Sequence, residues 1–175
     1  MASGLLPQDV VVLAKLACYR GERPPMAQVA SDLALSPSQV HASLKRLERS
    51  RLVDAHTGRP LLKAVEEFLI HGVKYVFPAQ RGEATRGVPT AYAAPPLSDQ
   101  IVADGELTPV WPDAEGSVRG VTLEPLHRAV PKAARQDPAL YAILALIDAL
   151  RDGRVRERQL AERELSERLR RLLRG

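Results

Sequence analysis

The sequence predicts a mainly helical α+β chain that contains two short β-hairpins and ends in a pair of helices. Apolar residues recur at intervals of three and four near both ends of the chain, which is typical of amphipathic helices. Nine of the 14 prolines lie between Pro78 and Pro138, so we expect loops and short strands there instead of long helices. With 45% hydrophobic residues, the 175-residue chain can bury a substantial core.

Composition and charge favour a soluble chain with a polyanionic partner. Cys18 is the only cysteine, which excludes an internal disulfide and suggests a reducing, cytoplasmic compartment. No apolar run approaches the roughly 18 residues that suggest a membrane span. Residues 1–60 hold eight Lys and Arg against five Asp and Glu, and the surplus comes from residues 45–59. A local basic patch of this kind indicates a polyanionic partner.

Three helices are predicted near the N-terminus. Residues 8–19 and 26–33 each place apolar side chains on one side, and two prolines separate the two helices. A third helix, over residues 36–50, has the clearest start signals. Ser36 is a favourable N-cap, and Gln39 three positions later completes a capping box.

The third helix has two distinct sides. Val40, Leu44 and Leu47 fall on one apolar stripe, which we expect to face the core. The opposite side is small and polar near its start and basic farther along. It carries Ser38, Ala42, Lys45 and Arg49, with Gln39 and Arg46 beside them.

Residues 26–53, MAQVASDLALSPSQVHASLKRLERSRLV, resemble the winged helix-turn-helix transcription regulators of the MarR-like kind. The likeness rests on the small Ala30 where two helices cross, on the serine-capped helix, and on the ending at Arg51, Leu52 and Val53. It covers about residues 8–55 and implies a DNA-binding domain, which we place at residues 1–95. The family often has glycine where this chain has Arg51, so the residue that follows the third helix departs from the family's pattern.

The resemblance implies that the third helix enters a major groove of double-stranded DNA. A glutamine can bond adenine in two places, and a small residue leaves room for a thymine methyl group. The base-edge candidates are therefore Ser38, Gln39, Ala42 and Ser43. Cations neutralise phosphates and small polar groups bind them, and these contacts set the register of the protein on the duplex. The phosphate candidates are Ser36, His41, Lys45, Arg46, Arg49 and Arg51.

Two hairpins are predicted in the middle of the chain. Residues 61–70 have a helical pattern, so we expect no wing directly after the third helix and place the candidate wing at residues 73–93. Its polar tip carries Arg81, Thr85 and Arg86, which could reach a minor groove or a phosphate. The second hairpin, Val110 to Leu123, turns at Asp113 to Gly116 within a proline-rich segment at residues 96–136. We assign it no chemistry.

The C-terminal segment, residues 137–175, is predicted to form two helices. Asp137 is an N-cap for a strongly apolar helix that ends near Arg151. The final helix, about residues 155–173, has an apolar stripe between alternating Arg and Glu, which we interpret as a self-association surface. Its dimerisation candidates are Leu160, Leu165, Leu169 and Leu172.

Together these features predict a sequence-specific DNA-binding transcription regulator that acts as a homodimer on an inverted repeat. We expect no enzyme activity, catalytic residue, metal site or cofactor, because no phosphate-binding loop, metal-ligand spacing or nucleophile motif is present. The alternative is an antitoxin-like or adaptor protein that binds another protein through residues 61–175, since this segment is long for a dimerisation element.

Overall fold

The N-terminal part of the chain forms three helices in a computed structural model, which describes residues 4–103, 105 and 107–174. They are α1 (Pro7–Cys18), α2 (Met26–Leu33) and α3 (Pro37–Arg49), which confirms the three predicted helices. The capping box of α3 is also confirmed. Gln39 N donates to Ser36 Oγ at 3.2 Å, and Ser36 N donates to Gln39 Oε1 at 2.9 Å.

Helices α2 and α3 end in the same kind of left-handed turn. Ala34 has a φ of 53°, and the N–H after it donates to Ala30 O at 2.9 Å. Arg51 has a φ of 57°, and the N–H after it donates to Leu47 O at 3.0 Å. Both turns satisfy carbonyl groups at a helix C-terminus, in a geometry that glycine adopts most easily. The backbone after α3 therefore adopts the left-handed conformation that glycine favours, although the residue there is Arg51.

A short hairpin, defined here as residues 52–61, directly follows α3. Val53 and Pro60 form an antiparallel bridge, and Asp54 N donates to Arg59 O at 2.8 Å. The sequence analysis expected no hairpin at this position and is corrected here. Two strands of one or two residues are enough to reverse the chain, and so brief a reversal has no alternating pattern to reveal it.

The candidate wing at residues 73–93 is not a hairpin. Helix α4 (Leu62–Glu67) continues through a π-helical turn (Phe68–Gly72) into α5 (Val73–Val76), so the start of the candidate wing is helical. Three buried side chains keep the helical spacing of four across these elements: Val65, Leu69 and Val73. Phe77, four positions after Val73, is partly buried against the same core, whereas Tyr75 between them is 78% exposed.

Three strands form one small sheet: β1 (Arg81–Pro89), β2 (Pro109–Pro112) and β3 (Val118–Leu123). Strand β1 pairs antiparallel with both β2 and β3, so β2 and β3 run parallel to each other. An added Cβ at Gly87 would collide with the backbone carbonyl of Trp111, so this glycine allows β1 and β2 to approach closely.

The second predicted hairpin is also wrong, although its two strands are present. Gly116 N donates to Asp113 O at 3.0 Å, which confirms the turn between β2 and β3. These strands pair with each other in parallel and with β1 in antiparallel fashion, so the turn does not join hairpin partners. The predicted polar tip that carries Arg81, Thr85 and Arg86 lies within β1 instead.

The C-terminal part consists of α6 (Val130–Gln136), α7 (Pro138–Asp152) and α8 (Val155–Leu173). Asp137 Oδ1 accepts hydrogen bonds from the first free N–H groups of α7, which confirms the predicted cap. Helix α7 is buried along most of its length and lies against α1, α5, α6 and α8. One hydrophobic core joins residues from all three predicted segments, and the predicted α+β class is confirmed.

Candidate nucleic-acid interface

The candidate interface is the side of α3 that faces away from the core. Val40, Leu44 and Leu47 are buried against α1 and α2, which confirms the predicted inner stripe. The exposed residues of α3 are Pro37, Ser38, His41, Lys45 and Arg49. Anchoring by one stripe leaves the opposite side of a regular helix available to a partner.

The N-terminal end of α3 presents small polar groups. Ser36 and Ser38 are exposed, and their hydroxyl oxygens lie 3.0 Å apart. Gln39 is partly exposed; its Oε1 is held by Ser36 N, while its Nε2 remains as a hydrogen-bond donor. Ala42 is half-buried beside them. Four of the predicted residues therefore lie together, two of them fixed by the cap.

Ser43 and Arg46 face α1 instead of solvent, so their predicted contacts with DNA are wrong. Ser43 is fully buried and accepts a hydrogen bond from Gln8 Nε2 at 3.0 Å. Arg46 forms a two-point ion pair with the fully buried Asp9, with Nε–Oδ2 and Nη2–Oδ1 distances of 2.8 Å. Hydrogen bonding to this carboxylate raises the pKa of Arg46. These two contacts fix the orientation of α3 on α1.

Asp9 was the sequence signal for this contact. It lies among the apolar residues of α1, two positions after Pro7, where a charged group needs a partner if it is buried. The side chain also accepts from Leu6 N at 2.7 Å and so caps α1. An arginine on a neighbouring helix was the natural partner to seek.

The C-terminal end of α3 carries the exposed cations. Lys45 Nζ lies 3.1 Å from Glu48 Oε2, in an exposed pair that contributes little to stability. In the described part of the chain, Arg49 and Arg51 form no ion pair. Both are exposed, so their charge is available to an anion.

The short hairpin extends this basic surface. Asp54 Oδ1 accepts from His56 N at 3.0 Å, Thr57 N at 2.7 Å and Thr57 Oγ1 at 2.9 Å. Hydrogen bonds from Thr57 and His56 hold the pKa of Asp54 below its usual value. The carboxylate thus organises the tip, while Arg59 remains partly exposed. Arg59 belonged to the basic patch in the sequence, but its place on a hairpin was missed.

The three predicted wing-tip residues lie on β1 instead of a hairpin tip. Arg81 forms an ion pair with Asp152 at the end of α7, with an Nη2–Oδ2 distance of 2.7 Å. Thr85 is partly buried, and Arg86 is exposed opposite Arg119 on β3. These positions do not form the projecting arginine-bearing loop that the sequence analysis predicted.

The predicted dimerisation stripe is part of the core of a single chain. Leu165 and Leu169 are fully buried, and Leu160 and Leu172 are partly buried against the same core. Helix α8 packs on α7, α4 and α1. The apolar stripe was identified correctly, but its interpretation as a self-association surface is wrong because α7 already covers it.

Cys18 is partly buried at the end of α1. Burial raises the pKa of the Cys18 thiol to about 12, so this thiol stays protonated at neutral pH. Within residues 4–103, 105 and 107–174, no three His, Cys, Asp or Glu side chains are arranged to hold a metal ion. None of the helices described has the length and apolar character needed to cross a membrane.

Comparisons with known proteins gave no match to a family model, a curated protein or a solved structure.

Proposed function

We propose that the chain is a cytoplasmic, sequence-specific regulator of transcription that binds double-stranded DNA through α3, in the manner of a winged helix-turn-helix protein. The observation that carries the proposal is the outward side of α3. It combines fixed hydroxyl and amide groups at its start with the exposed cations Arg49 and Arg51 at its end, which form no ion pair with the residues that the structure describes. No catalytic step is part of this proposal.

The dimensions of α3 suit a major groove. Its 13 residues span about 20 Å, and a B-DNA major groove is about 12 Å wide and admits an α-helix. The Arg46–Asp9 ion pair and the inner stripe hold the helix against α1 and α2. A helix held in this way enters a groove without the entropy loss of becoming ordered on binding.

The two ends of α3 have different roles in the proposal. Ser38, Gln39 and Ala42 approach base edges, where hydrogen bonds and methyl contacts distinguish base pairs. Lys45, Arg49 and Arg51, with Ser36 and His41, contact phosphates and set the register. The short hairpin takes the position of a wing directly after α3, and Arg59 adds to its charge.

Recognition of an inverted repeat by a homodimer remains part of the proposal. Two copies of α3 that lie about 34 Å apart would reach successive major-groove faces. Leu165 and Leu169 are inside one chain and do not supply the dimer contact. An oligomer that forms therefore uses another surface.

A protein-binding adaptor is the second candidate, and exposed apolar side chains favour it. Leu6, Tyr75 and Val76 are 44%, 78% and 52% exposed. Pro7 and Val76 line an open groove of about 390 Å³ together with Phe77. Tyr75 and Val76 lie within residues 61–175, to which the antitoxin-like alternative assigned partner binding, whereas Leu6 and Pro7 lie outside that segment.

Selection from a random duplex library tests the proposed function. The full chain is expected to enrich one sequence pattern and to bind it with an affinity that falls steeply between two salt concentrations. Arg49→Ala should weaken binding to selected and scrambled duplexes alike, whereas Gln39→Ala should reduce the preference between them. Absence of duplex binding at low salt would refute the proposal, and a stoichiometric protein partner in that case would favour the adaptor.

A further inference from the structure

The end of α8 meets the short hairpin at a narrow gap. Tyr19 and Arg23 line it from the segment after α1, Gly58 and Arg59 from the hairpin, and Leu173 from the last turn of α8. Three parts of the chain that are distant in sequence therefore come together beside the hairpin tip. Nothing in the 26–53 motif indicates this meeting point.

Two guanidinium groups line this gap without an acidic partner. Among the described residues around it, only Arg23 and Arg59 are charged. Arg23 lies across Gly58 so closely that an added Cβ there would collide with its Nε. That Nε is buried and has no hydrogen-bond acceptor in the described chain, and Nη1 has only a 3.4 Å contact with Pro24 O.

Carboxylates on the neighbouring segments are engaged elsewhere or exposed. Asp32 accepts a hydrogen bond from the Tyr19 hydroxyl at 2.6 Å and lies 3.4 Å from Lys15 Nζ. Asp54 accepts its hydrogen bonds within the hairpin tip. Glu66 on α4 pairs with Arg170, at an Oε1–Nε distance of 3.2 Å. Glu22 is exposed beside Arg23 and forms no ion pair in the described part of the chain. Within the described residues, none of these carboxylates forms an ion pair with Arg23 or Arg59.

Leu173 lines the gap, so chain connectivity brings the backbone of Arg174 next to it. Arg174 is exposed, immediately follows Leu173, and has no ion-pair partner among the described residues. It lies one helical turn beyond Arg170, which pairs with α4. Like charges held close together at a surface repel one another, and an anion between them relieves that repulsion.

We propose that Arg23, Arg59 and Arg174 form a phosphate-binding notch that holds the DNA backbone beside the hairpin. This inference rests on the proposed function and extends its contact surface beyond the helix-turn-helix segment to the end of α8. The notch carries no base-reading group, so its contribution is independent of sequence. It fixes the duplex on the flank of the hairpin while α3 occupies the groove.

Binding of a selected duplex by the full chain, measured by fluorescence anisotropy over a range of KCl concentrations, tests the notch. The triple variant Arg23→Gln, Arg59→Gln and Arg174→Gln removes three charges and leaves a shorter polar side chain at each position. Each lost phosphate contact should reduce the slope of log affinity against log salt by about 0.9. The expected reduction is therefore about 2 to 3, with an equal loss on selected and scrambled duplexes.

A charge-matched control on the same helix separates a contact from a general charge effect. Arg156→Gln, Arg158→Gln and Arg163→Gln remove three exposed arginines toward the other end of α8. This control should retain nearly the wild-type slope. Equal slopes for the notch variant and wild type, or equal losses for both triple variants, would overturn the notch but leave the proposed function standing.

Two further outcomes are decisive. Failure of the wild-type chain to bind any duplex would overturn both the notch and the proposed function. The second outcome concerns free phosphate. If phosphate ions raise the melting temperature of wild type but not of the notch variant, and the two salt slopes are equal, the notch is a free-anion site and the assignment to DNA is overturned. Melting temperatures measured in chloride confirm that both triple variants are folded before these comparisons.

Discussion

Arg46 of α3 donates two hydrogen bonds to the fully buried carboxylate of Asp9 in α1, both at 2.8 Å. The pair joins the helix proposed to read DNA to the first helix of the core. It also explains why only part of the basic stretch at residues 45–51 is available to a phosphate. The remaining cations, Lys45, Arg49 and Arg51, are exposed.

Arg46→Ala should destabilise the fold by about 3–5 kcal/mol, because it leaves Asp9 buried without its counter-charge. Arg49→Ala removes the same charge from the exposed side and should change the free energy of unfolding by no more than about 0.5 kcal/mol. Urea denaturation of both variants measures the difference. Equal, small effects would show that the buried pair does not hold α3.

Arg51→Gly should stabilise the chain by about 1 kcal/mol, because Arg51 occupies a left-handed conformation at φ 57° that glycine adopts without steric cost. The matched control is Arg49→Gly, which places glycine inside the last turn of α3 and should destabilise by up to about 1 kcal/mol. Thermal denaturation compares the two. A loss of stability in Arg51→Gly would contradict the assigned turn.

The environment of Asp32 predicts that the free energy of unfolding falls in acid. Burial alone would raise its pKa, but hydrogen bonds from Tyr19 and Gln28 and the charge of Lys15 hold the pKa below its usual value. Because the carboxylate is stabilised in the folded state, its contribution is present above the unfolded pKa of about 3.9 and is lost as pH falls through the lower folded pKa.

Between pH 5 and pH 3, the free energy of unfolding should therefore fall less for Asp32→Asn than for wild type. Urea denaturation at the two pH values measures this difference. The control is Asp99→Asn, since Asp99 is exposed. It should follow the wild-type pH dependence. Identical losses in wild type and Asp32→Asn would contradict the role given to this carboxylate.

Leu165→Ala should lower stability by about 2–5 kcal/mol, because Leu165 is fully buried in the core of one chain. Arg163→Ala, on the exposed side of α8, should have an effect within about 0.5 kcal/mol. Denaturation and analytical ultracentrifugation should be run on the same samples. If wild type is a dimer and Leu165→Ala is a monomer of unchanged stability, the self-association interpretation is restored.

Local signals made the first three helices predictable. Ser36 and Gln39 satisfy backbone groups within four residues of each other, and the inner stripe of α3 needs only helical spacing. The sequence alone does not predict which neighbouring helix packs beside that stripe. Ser43 and Arg46 lie beside it, and the position of α1 decides that they are buried.

Pairing between distant segments explains the remaining errors. Strand β1 has the glycines and charges of a loop, and it becomes a strand because β2 and β3, more than 20 residues away, supply its partners. The stripe of α8 is equally well satisfied by a second chain or by α7, and periodicity does not distinguish these partners. Both choices depend on tertiary packing.

The most direct test of the central claim is the salt dependence of duplex binding by the triple variant Lys45→Ala, Arg49→Ala and Arg51→Ala. If the outward side of α3 contacts phosphates, the slope of log affinity against log salt should fall by about 3 relative to wild type. The control variant that removes Arg156, Arg158 and Arg163 should keep the wild-type slope. A triple variant on α3 that binds as tightly and with the same slope as wild type would contradict the assignment of this helix to DNA.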